Sequence, residues 1–195
     1  MQELRGRGRE VGKRAALDRE RAGGDRRKAA HDRELGARDR EQSKQDRDHA
    51  ATDELTGAYR RGVGLEEVER EIARARRTGH SLVAAYVDVD GLKAVNDTHG
   101  HSAGDELLRD VAESLRHRMR TYDLLVRLGG DEFLCVLPGV SVDEVRRRFH
   151  DLESELPAGS TLGSVSIGLS ELRDGENAQE LINRADRNLL AGRSE

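Results

Sequence analysis

The sequence predicts an α+β fold, and three observations carry the prediction. From Asp53 onward, apolar residues at helical spacing alternate with short apolar runs of strand length. Two of those runs, Leu124-Leu125-Val126 and Phe133-Leu134-Cys135-Val136-Leu137, flank a glycine-bearing link and read as a hairpin. Helices that alternate with a mostly hairpin-built sheet pack as a sandwich. Before Asp53 there is almost nothing to bury, so the chain divides into a charged segment over 1–52 and one globular domain over 53–195.

The charged segment carries a seven-residue repeat. Asp18, Asp25, Asp32, Asp39, Asp46 and Asp53 recur at that period, and the first five are each followed by arginine. Small residues keep the same phase at Ala15-Ala16, Ala22-Gly23, Ala29-Ala30, Gly36-Ala37 and Ala50-Ala51. A helix would gather them into one narrow stripe. Pairs such as Asp18 with Arg21 and Asp25 with Lys28 would support it from neighbouring turns. The seam has no Leu, Ile or Val, and Gly23, Gly24 and Gly36 oppose the helix. Two readings stand: a long polar helix or weak Ala-seamed coiled coil, and a solvated, partly disordered arm.

In the domain, Leu65, Val68, Ile72 and Ala75 form a helical stripe before a strand over Leu82–Val87. Leu107, Leu108, Val111 and Leu115 form the next stripe, after a turn at Gly104-Asp105. The hairpin over 124–137 follows. Val145, Phe149, Leu152 and Leu156 mark a helix, Leu162–Leu169 a strand, and Ala178, Leu181, Ile182, Ala185 and Leu189 a last helix.

Composition excludes several classes. The net charge is −4 and the arginines are interleaved with acids, which gives no basic stripe for nucleic acid. Cys135 is the one cysteine, so no intramolecular disulfide forms, and its place in an apolar strand predicts a buried thiol. No apolar run approaches the roughly 20 residues needed to span a bilayer, and the first residues lack a secretory hydrophobic region. A soluble, cytoplasmic protein with no membrane partner is expected.

The chemistry concentrates at two acidic motifs. Gly129-Gly130-Asp131-Glu132 forms the hairpin tip, where glycines suit positive φ or close approach of a ligand to the backbone. The strand over Leu82–Val87 ends in Asp88-Val89-Asp90. Carboxylates at these two ends could supply the hard oxygen ligands that Mg²⁺ shares with nucleotide phosphates.

Asp88-Val89-Asp90-Gly91-Leu92-Lys93-Ala94-Val95-Asn96-Asp97, Gly104-Asp105 and Gly129-Gly130-Asp131-Glu132-Phe133 together resemble the GGDEF domain of diguanylate cyclases. The resemblance extends over roughly residues 53–193, taking in Asp53-Glu54-Leu55-Thr56-Gly57, Val165-Ser166-Ile167-Gly168 and Ala185-Asp186. It implies a palm-like nucleotidyl-cyclase fold with a central antiparallel five-stranded sheet. It also implies condensation of two GTP molecules into cyclic di-GMP and pyrophosphate, with Mg²⁺ or Mn²⁺, two ions per active site.

The same resemblance assigns residues. Asp88, the Val89 carbonyl and Asp131 would hold metal, and Asp131 or Glu132 would accept the proton of the attacking hydroxyl. Lys93, Gly129, Gly130 and Arg193 face phosphates, Arg193 standing where the family has a lysine. Asn96 and Asp105 would recognise guanine, while a plain reading makes them helix caps. His101 would order the substrate-side loop; Asp97, His99, His101 and Asp105 could otherwise suggest zinc, on weak His-x-His spacing. Arg120-Thr121-Tyr122-Asp123 resembles the family's RxxD site, where product inhibits through Arg120 and Asp123, joined by one of Arg146, Arg147 and Arg148; the plain alternative is a surface charge pair. Tyr59-Arg60-Arg61 departs from the family's Asn-Arg pair, a change expected to touch packing. Two readings of function follow: a product-inhibited cyclase working as a homodimer through its amino-terminal helix, and a catalytically poor module that binds cyclic di-GMP or GTP and signals through that helix to a partner helix.

Overall fold

The computed structural model describes residues 51–150, 152 and 164–192. The repeat over residues 15–50, Leu156, Leu162 and Arg193 lie outside the described residues. The elements in chain order are β1 (Tyr59–Arg60), α1 (Arg61–Thr78), β2 (Leu82–Asp90), α2 (Leu92–His99), α3 (His101–Arg118), β3 (Leu124–Arg127), β4 (Glu132–Pro138), α4 (Val142–Phe149), β5 (Ser164–Glu171) and α5 (Ala178–Gly192).

The sheet has five strands in the order β1-β3-β4-β2-β5. Every pairing is antiparallel except β1 with β3, which run parallel through Tyr59 opposite Val126 and Arg60 opposite Arg127. The expected antiparallel sheet is therefore a mixed one. The reason lies in the connection: α1, β2, α2 and α3 separate β1 from β3, and a crossover of that length lets the short edge strand enter in β3's own direction.

Strand alternation divides the core between the two faces of the sheet. Val83, Ala85, Val87, Phe133, Cys135 and Leu137 point to one face and pack with Val95 of α2 and Leu107, Leu108, Val111 and Leu115 of α3. Ala84, Tyr86, Leu134 and Val136 point to the other and pack with Val68 and Ile72 of α1 and Leu181, Ile182 and Ala185 of α5. β2 is an interior strand between β4 and β5, buried over its first six residues, and emerges at Asp88. Cys135 is buried as expected, and burial pushes its thiol far above the ordinary range.

The structure adds β1 and α2 to the elements read from the sequence, ends α4 at Phe149 before Leu152, and moves one turn. Gly104-Asp105 is no turn: both residues lie inside α3, which begins at His101. The break between α2 and α3 falls at Gly100, whose φ of 84° and ψ of 164° only glycine adopts without strain. A single glycine is a shorter helix–helix link than periodicity can detect.

Candidate functional site

Sheet register brings the two acidic motifs together. In the β2–β4 pairing Asp88 stands opposite Glu132, and beyond the ladder the Val89 amide donates to the Asp131 carbonyl at 2.9 Å. The hairpin tip is thereby tied to the end of β2 by its backbone, which leaves the Asp131 side chain out of the tie. Asp88 and Asp131 are both half-buried. On the far side of β2, Ser164 and Ser166 hydroxyls donate to the Asp90 carboxylate at 2.9 Å. Register therefore carries Asp88 and Asp131 on neighbouring strand ends, next to the Val89–Asp131 backbone bond. No group of three or more His, Cys, Asp or Glu side chains with a metal-holding arrangement occurs among the described residues.

Glu132 is held from within the sheet. The Tyr86 hydroxyl, one strand away on the same face, donates to Glu132 Oε1 at 2.7 Å. Burial, followed by the neighbouring Glu132 carboxylate, pushes the Tyr86 phenol well above its usual range, so it remains a donor.

Neither Gly129 nor Gly130 adopts a positive φ. That part of the sequence reading is wrong, because the four-residue link over 128–131 closes without a left-handed residue. A Cβ at Gly129 would lie 2.6 Å from Glu132 Oε2 and would displace that end of the carboxylate. The tip is stiffened by Arg127, whose Nε donates to the Gly129 carbonyl at 3.2 Å and Nη2 to the Gly130 carbonyl at 2.7 Å. Its Nη1 reaches Asp53 Oδ1 at 2.9 Å.

Asp53 in turn accepts from the Thr56 amide at 2.9 Å and the Thr56 hydroxyl at 2.7 Å. Burial alone would raise its carboxyl, but the Thr56 and Arg127 hydrogen bonds and the Arg127 charge outweigh it and hold the pKa below the usual carboxylate range. With side chains only 16% and 24% exposed, this ion pair is better shielded than a surface bridge. Sequence reasoning missed both Arg127 and Tyr86. The one signal for Tyr86 was a single hydroxyl inside an otherwise apolar run.

α2 starts two residues after β2 ends, which places exposed Lys93 in its first turn and Asn96 one turn later. Gly104 of α3 packs on Asn96, and a Cβ at Gly104 would stand 2.0 Å from Asn96 Oδ1. That oxygen is buried and has no hydrogen-bond partner. Asn96 thus lies in a helix–helix contact with Gly104, Asp105 follows it exposed on α3, and the capping reading fails for both, since each lies within a helix. His99 closes α2 and His101 opens α3, both exposed, so His101 is a helix residue and not a loop residue.

At the other end of β3, Arg120–Asp123 closes on itself. The Arg120 amide donates to Asp123 Oδ2 at 2.7 Å, and Arg120 Nη1 donates to the Tyr122 hydroxyl at 2.8 Å. The Asp123 side chain is fully buried, with Oδ1 unpartnered, so this is not a surface charge pair. Burial raises its carboxyl despite the Arg120 amide and the Arg148 charge. Of the three arginines on α4, Arg148 is the one beside Asp123, 4.0 Å from Oδ2.

The family model described as "Diguanylate cyclase, GGDEF domain" matches residues 50–195. The chain belongs to the GGDEF domain family. Similar proteins include diguanylate cyclase DgcP of Pseudomonas aeruginosa, 36% identical over 147 residues, which are 72% of this chain and 22% of that protein. The response regulator PleD of Caulobacter vibrioides is 33% identical over 147 residues, 70% of this chain and 32% of PleD. This GGDEF chain therefore spans about a fifth to a third of the curated relatives it resembles. Among solved structures, the coiled coil and GGDEF domain of DgcB from Caulobacter crescentus in complex with c-di-GMP superimposes with a TM-score of 0.77 at 29% identity, over 86% of this chain and 93% of that one.

Proposed function

We propose that this GGDEF chain is a diguanylate cyclase that joins two GTP molecules into cyclic di-GMP and releases two pyrophosphates. The observation that carries the reading is the junction of Asp88 and Val89 with the Gly129–Glu132 tip at one sheet end. The named similarity to diguanylate cyclases supports it.

Asp88, the Val89 carbonyl and Asp131 would hold Mg²⁺ or Mn²⁺, two ions per site. When bound, the ions neutralise phosphate charge and make the attacking 3′-hydroxyl more acidic. The chain's own residues do the rest. Gly130 leaves open space at the tip, and Gly129 lets Glu132 sit against the link, so a triphosphate can approach the backbone closely. Lys93 supplies a point charge for phosphate, as would Arg193. Asn96 and Asp105 offer an amide and a carboxylate from adjoining helices, matching the donors and acceptors on the guanine edge, with His101 at the start of the same helix. The proton of the 3′-hydroxyl passes to the Asp131–Glu132 pair, in which Tyr86 fixes Glu132.

One domain presents one GTP, and the reaction needs two facing each other, so turnover requires two copies. The amino-terminal segment is assigned to that pairing, or to a partner helix. Product would inhibit at Arg120 and Asp123, with Arg148 as the second arginine.

Incubating purified full-length protein with GTP and Mg²⁺ should yield cyclic di-GMP by mass spectrometry. Nucleotide binding with no product formed would sink the cyclase reading and leave a binding module. For the pairing, deleting residues 1–50 should lower specific activity most at low protein concentration, with recovery on concentration or fusion to a strong dimeric coiled coil. Equal activity of truncated and full-length protein across a dilution series would remove that role.

A further inference from the structure

The Arg120–Asp123 turn is occupied by a side chain of its own fold. Glu144, in the first turn of α4, accepts at Oε1 from Arg120 Nη2 at 3.3 Å. The same oxygen accepts from Arg148 Nη2 at close range. One carboxylate thus lies between the two guanidiniums that an anionic ligand at this turn would use. The two other groups at the turn are likewise engaged. Tyr122 takes the remaining arm of Arg120 and stands with its ring 5.8 Å beneath that guanidinium, and Asp123 faces inward on the Arg120 amide. Arg120 and Tyr122 also line a cavity of about 290 Å³ shared with Arg74 and His80.

Resting on the product-binding reading above, we propose that Glu144 is an internal competitor of the cyclic dinucleotide, holding Arg120 and Arg148 in a ligand-mimicking ion pair and so setting how much product is needed to inhibit. The chemistry is exchange of one anion for another. A guanidinium binds carboxylate and phosphate with the same fork geometry, so each arm given to Glu144 is withheld from phosphate. A dianionic ligand that arrives with Glu144 in place also meets its negative charge. Once Glu144 swings out, the arginines turn to phosphate and Asp123 rotates outward to meet guanine N–H donors. That rotation gives up the Arg120 amide at Oδ2 and brings out Oδ1, which is buried without a partner.

Glu144→Gln keeps the shape and removes the charge. Asp143→Asn is the matched control: it lies in the same helical turn and removes the same charge, but Asp143 is exposed and pairs with Arg146. Calorimetric titration of cyclic di-GMP into the full-length chain should show Glu144→Gln binding about three- to tenfold more tightly than the parent, given the half-exposed pair. Glu144→Ala should shift in the same direction, and Asp143→Asn should stay within about twofold. A damaged fold would weaken binding, so tightening is diagnostic. Unchanged or weaker binding in both Glu144 variants, with Arg120→Ala still weakening it, would overturn the competitor role and leave the product site standing. Equal tightening by Asp143→Asn would reduce the effect to net charge and also overturn it. If Arg120→Ala binds like the parent, or neither the parent nor any variant binds, the product-site reading fails and takes the proposal with it.

Discussion

β3 carries an acidic turn at each end, and the two turns are built in opposite ways. At the Gly129–Glu132 end the backbone does the holding: the Val89 amide takes the Asp131 carbonyl, Arg127 takes two more carbonyls, and the Asp131 side chain stands half-buried at the tip. At the Arg120–Asp123 end the side chains hold the turn. Asp123 is buried on its own turn, and Arg120 is shared between Tyr122 and Glu144. About 13 Å separates them, the rise of four strand residues. A turn fixed by main chain keeps its functional groups ready, whereas one fixed by functional groups must break its own contacts to act.

The contrast breaks first at Asp131. Asp131→Asn should cost about 10²–10³-fold in cyclic di-GMP formation while changing stability by under about 0.5 kcal/mol, because the carbonyl that docks the tip is untouched. Rate and urea unfolding measured on one preparation test this. A large loss of stability would mean the tip is held by its side chain after all.

Arg127→Ala should act on both quantities. It frees the Gly129 and Gly130 carbonyls and leaves Asp53 without its cation, so turnover should fall about tenfold and stability by about 1–3 kcal/mol. The stability difference depends on pH with a definite sign. The native Asp53 carboxyl lies below its unfolded value of 3.8, so its stabilisation is complete above that value and is lost as pH falls through the lowered native pKa. The gap between the unfolding curves of parent and variant should therefore narrow in acid, leaving the part due to the two carbonyls. A constant gap down to pH 2 would detach Asp53 from the effect.

Tyr86→Phe removes only the donor to Glu132, and a two- to fivefold loss of turnover is expected from one hydrogen bond. No change in rate or in its pH profile would show that Glu132 needs no support from the sheet.

The smallest effect sharpens the other end. Asp123→Asn should stabilise the domain by about 0.5–1 kcal/mol at neutral pH, since it removes a buried charge that is incompletely bonded. Because the native Asp123 pKa is raised, the parent's deficit appears as pH rises through that value and vanishes in acid. A lower melting temperature for Asp123→Asn at pH 7 would mean the inward carboxylate stabilises the turn.

Much of this was legible before any coordinates. The stripe Leu65, Val68, Ile72 and Ala75 and the run Leu82–Val87 were found because burial imposes its period on the residue pattern. The pairing of Asp88 with the hairpin tip followed from matching acidic motifs to a family. Hidden from the pattern were features that depend on long-range neighbours. Arg127 looks like any of the chain's many arginines until β1 and the entry turn come alongside it. Gly104 looks like a turn residue until Asn96 packs on it, since a glycine needed for space and one needed for positive φ are written with the same letter. The inward rotation of Asp123 is a rotamer choice, which periodicity does not encode.

The Asp53–Arg127–Gly130 chain of contacts bears on how such a domain can be recombined. Among the described residues, Asp53 meets the Gly129–Glu132 tip through one guanidinium that also holds two of the tip's carbonyls, and Asp53 is locked by its own Thr56 turn before the first strand begins. A segment of other sequence that also pairs two copies can stand upstream, provided the chain arrives with that turn intact. Grafting experiments should accordingly tolerate exchange of everything upstream of Thr52 for another pairing segment and fail when the splice is moved a few residues downstream, into 53–60. A domain entered through a self-contained turn is suited to being joined to a different input.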